Sequence, residues 1–306
     1  MTKDVRRGIS RELSAARLRP DRAYFDYVGA RLYHMGELEY ERLLERTGSE
    51  LEHQAKPAVR LLGFGHVMTE FAVAHLGFPG KPAPALLSLG ALSNLIVTIY
   101  DGLLDSGQDG ERVLPRSRLT GPRRRKNKTG DPLVNRLVDL YFAGVASLPR
   151  PDARVHKTLR SAILRMYDAE RATSGSLEYT AAVWRRKSAL PLVIMGLPVW
   201  MTVPSFDRRA YRAHLKWLYR LGRFFGWIDD AADLDDDRAA GRSNFFSAGL
   251  NRGMARRIAR EGALILEAWN AGAPNGGYSR TLRETFLAVT WSWLGTRQSR
   301  DRKGAI

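Results

Sequence analysis

The chain contains no cysteine. Disulfides, thiolate zinc centres, iron–sulfur clusters and a cysteine nucleophile are therefore excluded, and the composition fits a reducing compartment. A metal would have to be held by oxygen or by the six histidines. These are His34, His53, His66, His75, His156 and His214, scattered without any zinc-binding spacing such as His-Glu-x-x-His, and each is read as a structural or surface residue. A Gly-rich phosphate loop and a fixed-period repeat are also missing. Alternating β-branched runs bounded by turn signals are nearly absent, which leaves little from which to build strands. Residues 1–30 offer no apolar stretch of the length a secretory signal needs, so a cytoplasmic location is expected.

What is present is helical periodicity. Apolar residues recur at spacings of three and four almost throughout the 306 residues, of which 44% are hydrophobic. The expectation is an all-α, single-domain helical bundle over 1–306, with helices near 22–47, 49–76, 84–106, 132–148, 153–173, 176–197, 207–234, 254–271 and 279–295. Residues 1–20 are expected to form a flexible or loosely attached segment. The uncharged stretches 82–100 and 188–206 approach the ~20 residues that span a bilayer. The first carries Ser88, Ser93 and Asn94 and the second is broken by Pro191, Pro198 and Pro204, so both read as buried bundle helices and no transmembrane segment is expected.

The net charge of +17 calls for an anionic partner. Its densest basic run, Arg123-Arg124-Arg125-Lys126, lies in an aperiodic Gly/Pro-rich stretch, 106–132, and reads as a solvated loop. No aromatic residues are interleaved with it to stack bases, so nucleic acid is not expected. A polyanionic small substrate remains.

Two acidic clusters interrupt apolar helices. Tyr100-Asp101-Gly102-Leu103-Leu104-Asp105 ends the first uncharged stretch, and four-residue spacing puts Asp101 and Asp105 on one helix face. Phe224-Phe225-Gly226-Trp227-Ile228 runs into Asp229-Asp230-Ala231-Ala232-Asp233-Leu234-Asp235-Asp236-Asp237-Arg238. If the helix continues that far, Asp229, Asp233 and Asp237 form one stripe, with Asp230, Asp235 and Asp236 turned away. Stacked like charges destabilise a helix unless cations neutralise them. Hard oxygen ligands without thiolate or paired histidine point to Mg²⁺, an ion that typically joins a few carboxylates to phosphate oxygens. A phosphorylated substrate between the two clusters follows, with the surplus arginine and lysine as charge-assisted donors.

These motifs resemble those of class I isoprenoid synthases. In the first, Gly102 stands where the second of three aspartates is expected. The second, from Asp229 through Asp237-Arg238 to Gly241-Arg242-Ser243-Asn244-Phe245, is similar to that of the bacterial tetraprenyl-β-curcumene synthase-like cyclases, and its spacing also resembles those of trans-prenyl diphosphate synthases and of squalene and phytoene synthases. The resemblance implies a bundle with a central active-site cavity and three Mg²⁺ ions held by Asp101, Asp105, Asp229, Asp233 and Asp237, gripping an isoprenoid diphosphate. It also places Arg185, Arg186 and Lys187, before the buried Ala189-Leu190-Pro191, and Arg238, Arg242, Arg297 and Arg302 as diphosphate ligands. Tyr100, Tyr179, Phe224, Trp227, Trp291 and Trp293 are the candidate cavity aromatics, and a homodimer is admitted.

The isopentenyl diphosphate pocket of chain-elongating enzymes is poorly matched by Lys56-Pro57-Ala58-Val59-Arg60 and by a lone Arg112 after Asp105. The expected activity is therefore a terpene cyclase acting on one allylic diphosphate. A prenyl diphosphate synthase or head-to-head condensing enzyme is the alternative, and a non-catalytic basic binding protein of the same fold, suggested by Gly102, is the second alternative.

Overall fold

A computed structural model describes residues 2–47, 51, 55–77, 83–120, 130–149, 152–173, 180–272 and 276–295. Among them every regular element is helical: α1 (Thr2–Ala15), α2 (Arg22–Thr47), α3 (Ala55–His75), α4 (Pro84–Asp105), α5 (Gly110–Val113), α6 (Pro132–Ala146), α7 (Ala153–Thr173), α8 (Ala181–Gly196), α9 (Arg208–Ala239), α10 (Arg252–Gly272) and α11 (Gly276–Gly295). Short 3₁₀ turns span Arg116–Thr120 and Leu197–Met201. Helix starts carry the expected caps, with Asp131 accepting from Val134 N, Thr180 from Val183 N and Asp207 from Arg209 N and Ala210 N.

Helices α2, α3 and α4 pack side by side, α8 lies against α3, α4, α7 and α9, and α10 and α11 close over α9. The buried apolar side chains form one contiguous core reaching from α1 to α11. By length and composition α4 could cross a bilayer, but here it packs into the bundle against α3, α6 and α8.

Two sequence expectations need correction. The N-terminal segment is not loosely attached. Residues 2–15 are helical, and Val5, Ile9 and Leu13 are buried, each such burial contributing about 1.5–3 kcal/mol. The buried guanidinium of Arg6 donates to the carbonyl oxygens of Ala231 (3.1 Å) and Ala232 (2.7 Å), tying α1 to the back of the second acidic motif. The stretch after Asp105 is also not wholly aperiodic, since α5 and the 3₁₀ turn at Arg116–Thr120 occupy part of it; the run Arg123 to Lys126 lies outside the described residues. Their brevity hid them, because one turn leaves no period to count.

Candidate active site

The C-terminal ends of α4, α7 and α9 and the N-terminal end of α8 meet at one end of the bundle. The α8/α9 crossing is unusually close: a Cβ added to Gly226 would lie 2.3 Å from Ser188 Cβ, so only glycine lets the two helices approach there. Helix α9 does continue through the acidic stripe, and it stops at Gly241, whose φ of +66° turns the chain back. That reversal folds Arg242 onto the helix end it has just left.

Arg242 joins the two acidic walls. Its Nε lies 3.0 Å from Asp237 Oδ1 and its guanidinium 3.8 Å from Asp105 Oδ2. Asn244 Nδ2 donates to the other oxygen of Asp237 and to the carbonyl of Asp230, both at 2.8 Å. On the opposite side Lys187 Nζ sits 3.2 Å from Asp101 Oδ1, 2.7 Å from Glu170 Oε2 and 3.3 Å from Thr173 Oγ1. Asp101 and Asp105 are thus brought together with the α9 stripe.

The carboxylates crowd one another. Asp229 keeps accessible surface although protein surrounds it, as expected for a group lining a concavity. Desolvation there, followed by the charges of Asp233, Asp230, Asp237 and, from the facing wall, Asp101, pushes its carboxyl well above the usual range. Asp105 is raised as well, by desolvation and by Asp101, with Arg242 and Lys187 opposing.

Two acids outside the expected set belong here. Glu170 is buried and pushed up to about 8 by desolvation, against the pull of Lys187. The sequence carried a signal for it, because Glu170 continues the buried stripe Leu159, Ile163, Met166, Tyr167 of α7, where an apolar residue belongs. Asp230 was expected to turn away from the stripe. Instead its carboxylate accepts from Trp184 Nε1 at 2.5 Å and is pushed up to about 7 by burial. The indole supplies a partner that carboxylate spacing alone could not reveal.

The basic candidates divide. Lys187 and Arg242 reach the aspartates. Arg185 is exposed and returns its Nε to Ala181 O of its own helix, Arg186 is exposed, and Arg238 donates to Ser247 O at 3.0 Å. Arg297 and Arg302, like Tyr179, lie outside the described residues.

Below the charged cluster lies a small apolar cavity of about 40 Å³, walled by α4 (Ser93, Ile96, Val97, Tyr100), α6, α7 (Ile163, Met166, Tyr167) and Ile194 of α8. Helical spacing puts Asp101 one turn above Val97, Glu170 one turn above Met166 and Lys187 two turns from Ile194, so the polar groups cap an apolar interior. Of the candidate aromatics among the described residues, Tyr100 lines this cavity, stacked 5.5 Å from Tyr167. The others are placed elsewhere. Phe224 is buried 5.2 Å from Phe286, Trp227 stacks 5.4 Å from Trp184, and Trp293 stacks 5.0 Å from Phe64. Trp291 binds Leu18 O through its indole N–H at 2.7 Å beneath Arg19. Helical phase explains the miss, since α9 and α11 turn these rings toward α3, α8, α10 and the α1–α2 connection rather than toward α6 and α7.

Among the described residues no three carboxylates or imidazoles converge closely enough to cage an ion by themselves. Mg²⁺ does not require such a cage, because it keeps several waters and takes one or two carboxylates plus phosphate oxygens. An all-oxygen donor set whose carboxyls raise one another's proton affinity suits a divalent cation. Compared with known proteins, the chain matches no family model, no curated protein and no solved structure.

Proposed function

We propose that this protein is a class I terpene cyclase, binding an allylic isoprenoid diphosphate with Mg²⁺, releasing diphosphate and rearranging the resulting carbocation. The observation that carries the reading is the convergence of Asp101 and Asp105 with Asp229, Asp233 and Asp237 over an apolar cavity, with Lys187 and Arg242 among them. Asp101, Asp105, Asp229, Asp233 and Asp237 would hold the metal. Bound Mg²⁺ would supply charge that stabilises the departing diphosphate.

The chain's own residues account for the rest. Lys187 and Arg242 are held by carboxylates, and exchanging a carboxylate for a phosphate oxygen keeps a charge-assisted hydrogen bond in place. The apolar wall excludes water from the cation. The rings of Tyr100 and Tyr167 can stabilise it by ~0.5–2 kcal/mol each where desolvated.

One observation favours a second reading, a diphosphate-binding protein without turnover. The cavity of about 40 Å³ falls well short of the ~300–1,000 Å³ of ordinary ligand sites, so a prenyl chain enters only if wall side chains such as Met166 and Phe142 move. The experiment is incubation with C10 to C25 allylic diphosphates and Mg²⁺, with and without isopentenyl diphosphate, followed by a diphosphate assay and gas chromatography. Mg²⁺-dependent diphosphate release with terpene products, abolished by EDTA, supports the cyclase. Longer prenyl diphosphates formed only with isopentenyl diphosphate identify a condensing enzyme, and Mg²⁺-dependent binding without release identifies the non-catalytic role.

A further inference from the structure

A cluster of positive charge that the site does not use lies on the outer face made by α1 and α10. Arg7 and Arg11 of α1 and Arg252, Arg256 and Arg260 of α10 are all exposed, and those on α10 repeat every four residues along one side of the helix. An open cleft between the helices is lined by Arg7, Arg11, Arg252 and Asn251, together with the acid Asp4. The acids do not cancel this charge. Glu12 is shared among Arg11, Arg252 and Arg256 at 3.6–3.7 Å, and Arg7 and Arg260 make no ion pair among the described residues.

Chain direction fixes where this face lies. Arg6 reaches Ala231 and Ala232 on α9, Gly8 abuts Leu250, and Leu18 approaches Gly262, so α1 runs alongside α10 with its first turns at the acidic end of the bundle. The loop carrying Arg242 and Asn244 leads directly to Asn251 and Arg252. The basic face therefore lies at the same end of the bundle as the candidate site, behind α9.

We propose that the α1–α10 arginine face docks the protein on an anionic bilayer, with the cleft receiving lipid phosphate. A sheet of lipid phosphates fits better than one soluble phosphate, because Arg252 to Arg260 alone extends about 12 Å along α10. It fits better than nucleic acid because, among the described residues, no exposed aromatic side chain accompanies the arginines to stack bases. The choice of membrane over free phosphate rests on the cyclase reading, since a prenyl chain partitions into bilayers by ~0.8 kcal/mol per CH₂ and docking would bring the site to its substrate.

The test is sedimentation of the full chain with phosphatidylcholine vesicles containing none or one third phosphatidylglycerol, which needs no turnover and so fails or succeeds independently of the cyclase reading. Binding is expected only to the anionic vesicles, weakening steeply with salt. Each arginine near such a surface strengthens binding about fivefold. Replacing Arg7, Arg11, Arg252 and Arg256 by Gln should therefore weaken it roughly a hundredfold, allowing for their sharing of Glu12. Arg7→Gln with Arg11→Gln, confined to the solvent side of α1, guards against misfolding of the quadruple variant and should weaken binding about tenfold. Neutralising Arg123, Arg124 and Arg125 should change binding less than threefold. Equal loss from that triple variant, undiminished binding by the quadruple variant, equal binding to neutral vesicles, or binding to RNA or DNA in place of vesicles would each overturn the proposal.

Discussion

The two halves of α9 treat buried polar groups in opposite ways. Near its start His214 is fully buried, accepts the indole N–H of Trp200 on Nδ1 at 2.7 Å and stacks 5.2 Å from His75. Desolvation holds His75 down to about 4 and His214 well below its ordinary value, so the pair is neutral near pH 7. Fifteen residues later, about 22 Å along the same helix, Asp229 opens a stripe of acids that raise one another's proton affinity. One half is arranged for stability, with its polar atoms neutral and packed among Trp200, Trp217 and Tyr211. The other keeps repelling carboxylates together, a cost that makes sense if the crowding serves a ligand.

The largest expected effect separates the halves by activity. Asp101→Asn combined with Asp233→Asn should reduce diphosphate release at least a thousandfold, measured at saturating substrate, while leaving the metal-free melting temperature unchanged or slightly raised, because like-charge repulsion is relieved. A fall in melting temperature of more than about 5 °C would give these acids a structural role and erase the contrast.

The reverse holds at the other half. His214→Ala removes a fully buried ring and strands the Trp200 N–H, so it should cost about 2–4 kcal/mol in urea unfolding. Turnover per folded molecule should stay within about twofold of the parent. A selective loss of turnover would mean that the aromatic half feeds the site.

These contrasts also show what was readable in advance. The bundle followed from periodicity, and α2, α4, α6 and α7 start where the expected helices begin, at 22, 84, 132 and 153. Asp101, Asp105 and the α9 stripe were legible because acids at regular spacing next to apolar runs have few structural uses. Arg242 was legible only as a neighbour of the motif; its bridge from Asp237 to Asp105 depends on the turn at Gly241. Glu170 and Trp184 were hidden because each is a single residue whose meaning comes from a partner on another helix. The N-terminal helix escaped because its charged positions outnumber Val5, Ile9 and Leu13, and charge density alone resembles a solvated tail.

Glu170 beside the acidic cluster and the histidine pair should respond oppositely to pH. Glu170, raised from 4.5 to about 8, favours the fold in its protonated form, so its contribution is complete below about pH 4.5 and is lost as pH rises through 8. His75 and His214 have lowered values, so their contribution is present above about pH 6.5 and is lost as pH falls from there toward their folded values, about 4 for His75. The two contributions therefore change in opposite directions between about pH 4.5 and 6.5, and above about pH 6.5 only the loss from Glu170 continues. Glu170→Gln should flatten the alkaline limb, raising the melting temperature by about 2–5 °C at pH 8 relative to the parent and by less at pH 5. An unchanged alkaline limb in that variant would place the crowding elsewhere.

The smallest effect concerns Gly102, the departure from the three-aspartate pattern. Position 102 is exposed, and a Cβ there would meet nothing within 4 Å, so packing does not impose the glycine. Replacing it with Asp gains about 0.3 kcal/mol of helix propensity. Against this stand repulsion from Asp105 three residues on, about 0.2–0.5 kcal/mol, and the unfavourable placement of an anion in the last turn of α4, about 0.3–1 kcal/mol. Without metal, Gly102→Asp should therefore lower the melting temperature by about 1–2 °C. The sign should reverse in millimolar Mg²⁺ if the added carboxylate faces the cation site, because the repulsion is then offset by ion binding. Should the variant remain less stable in Mg²⁺ than the parent while Mg²⁺ stabilises the parent itself, position 102 lies off the metal-binding face, and its glycine costs this site nothing.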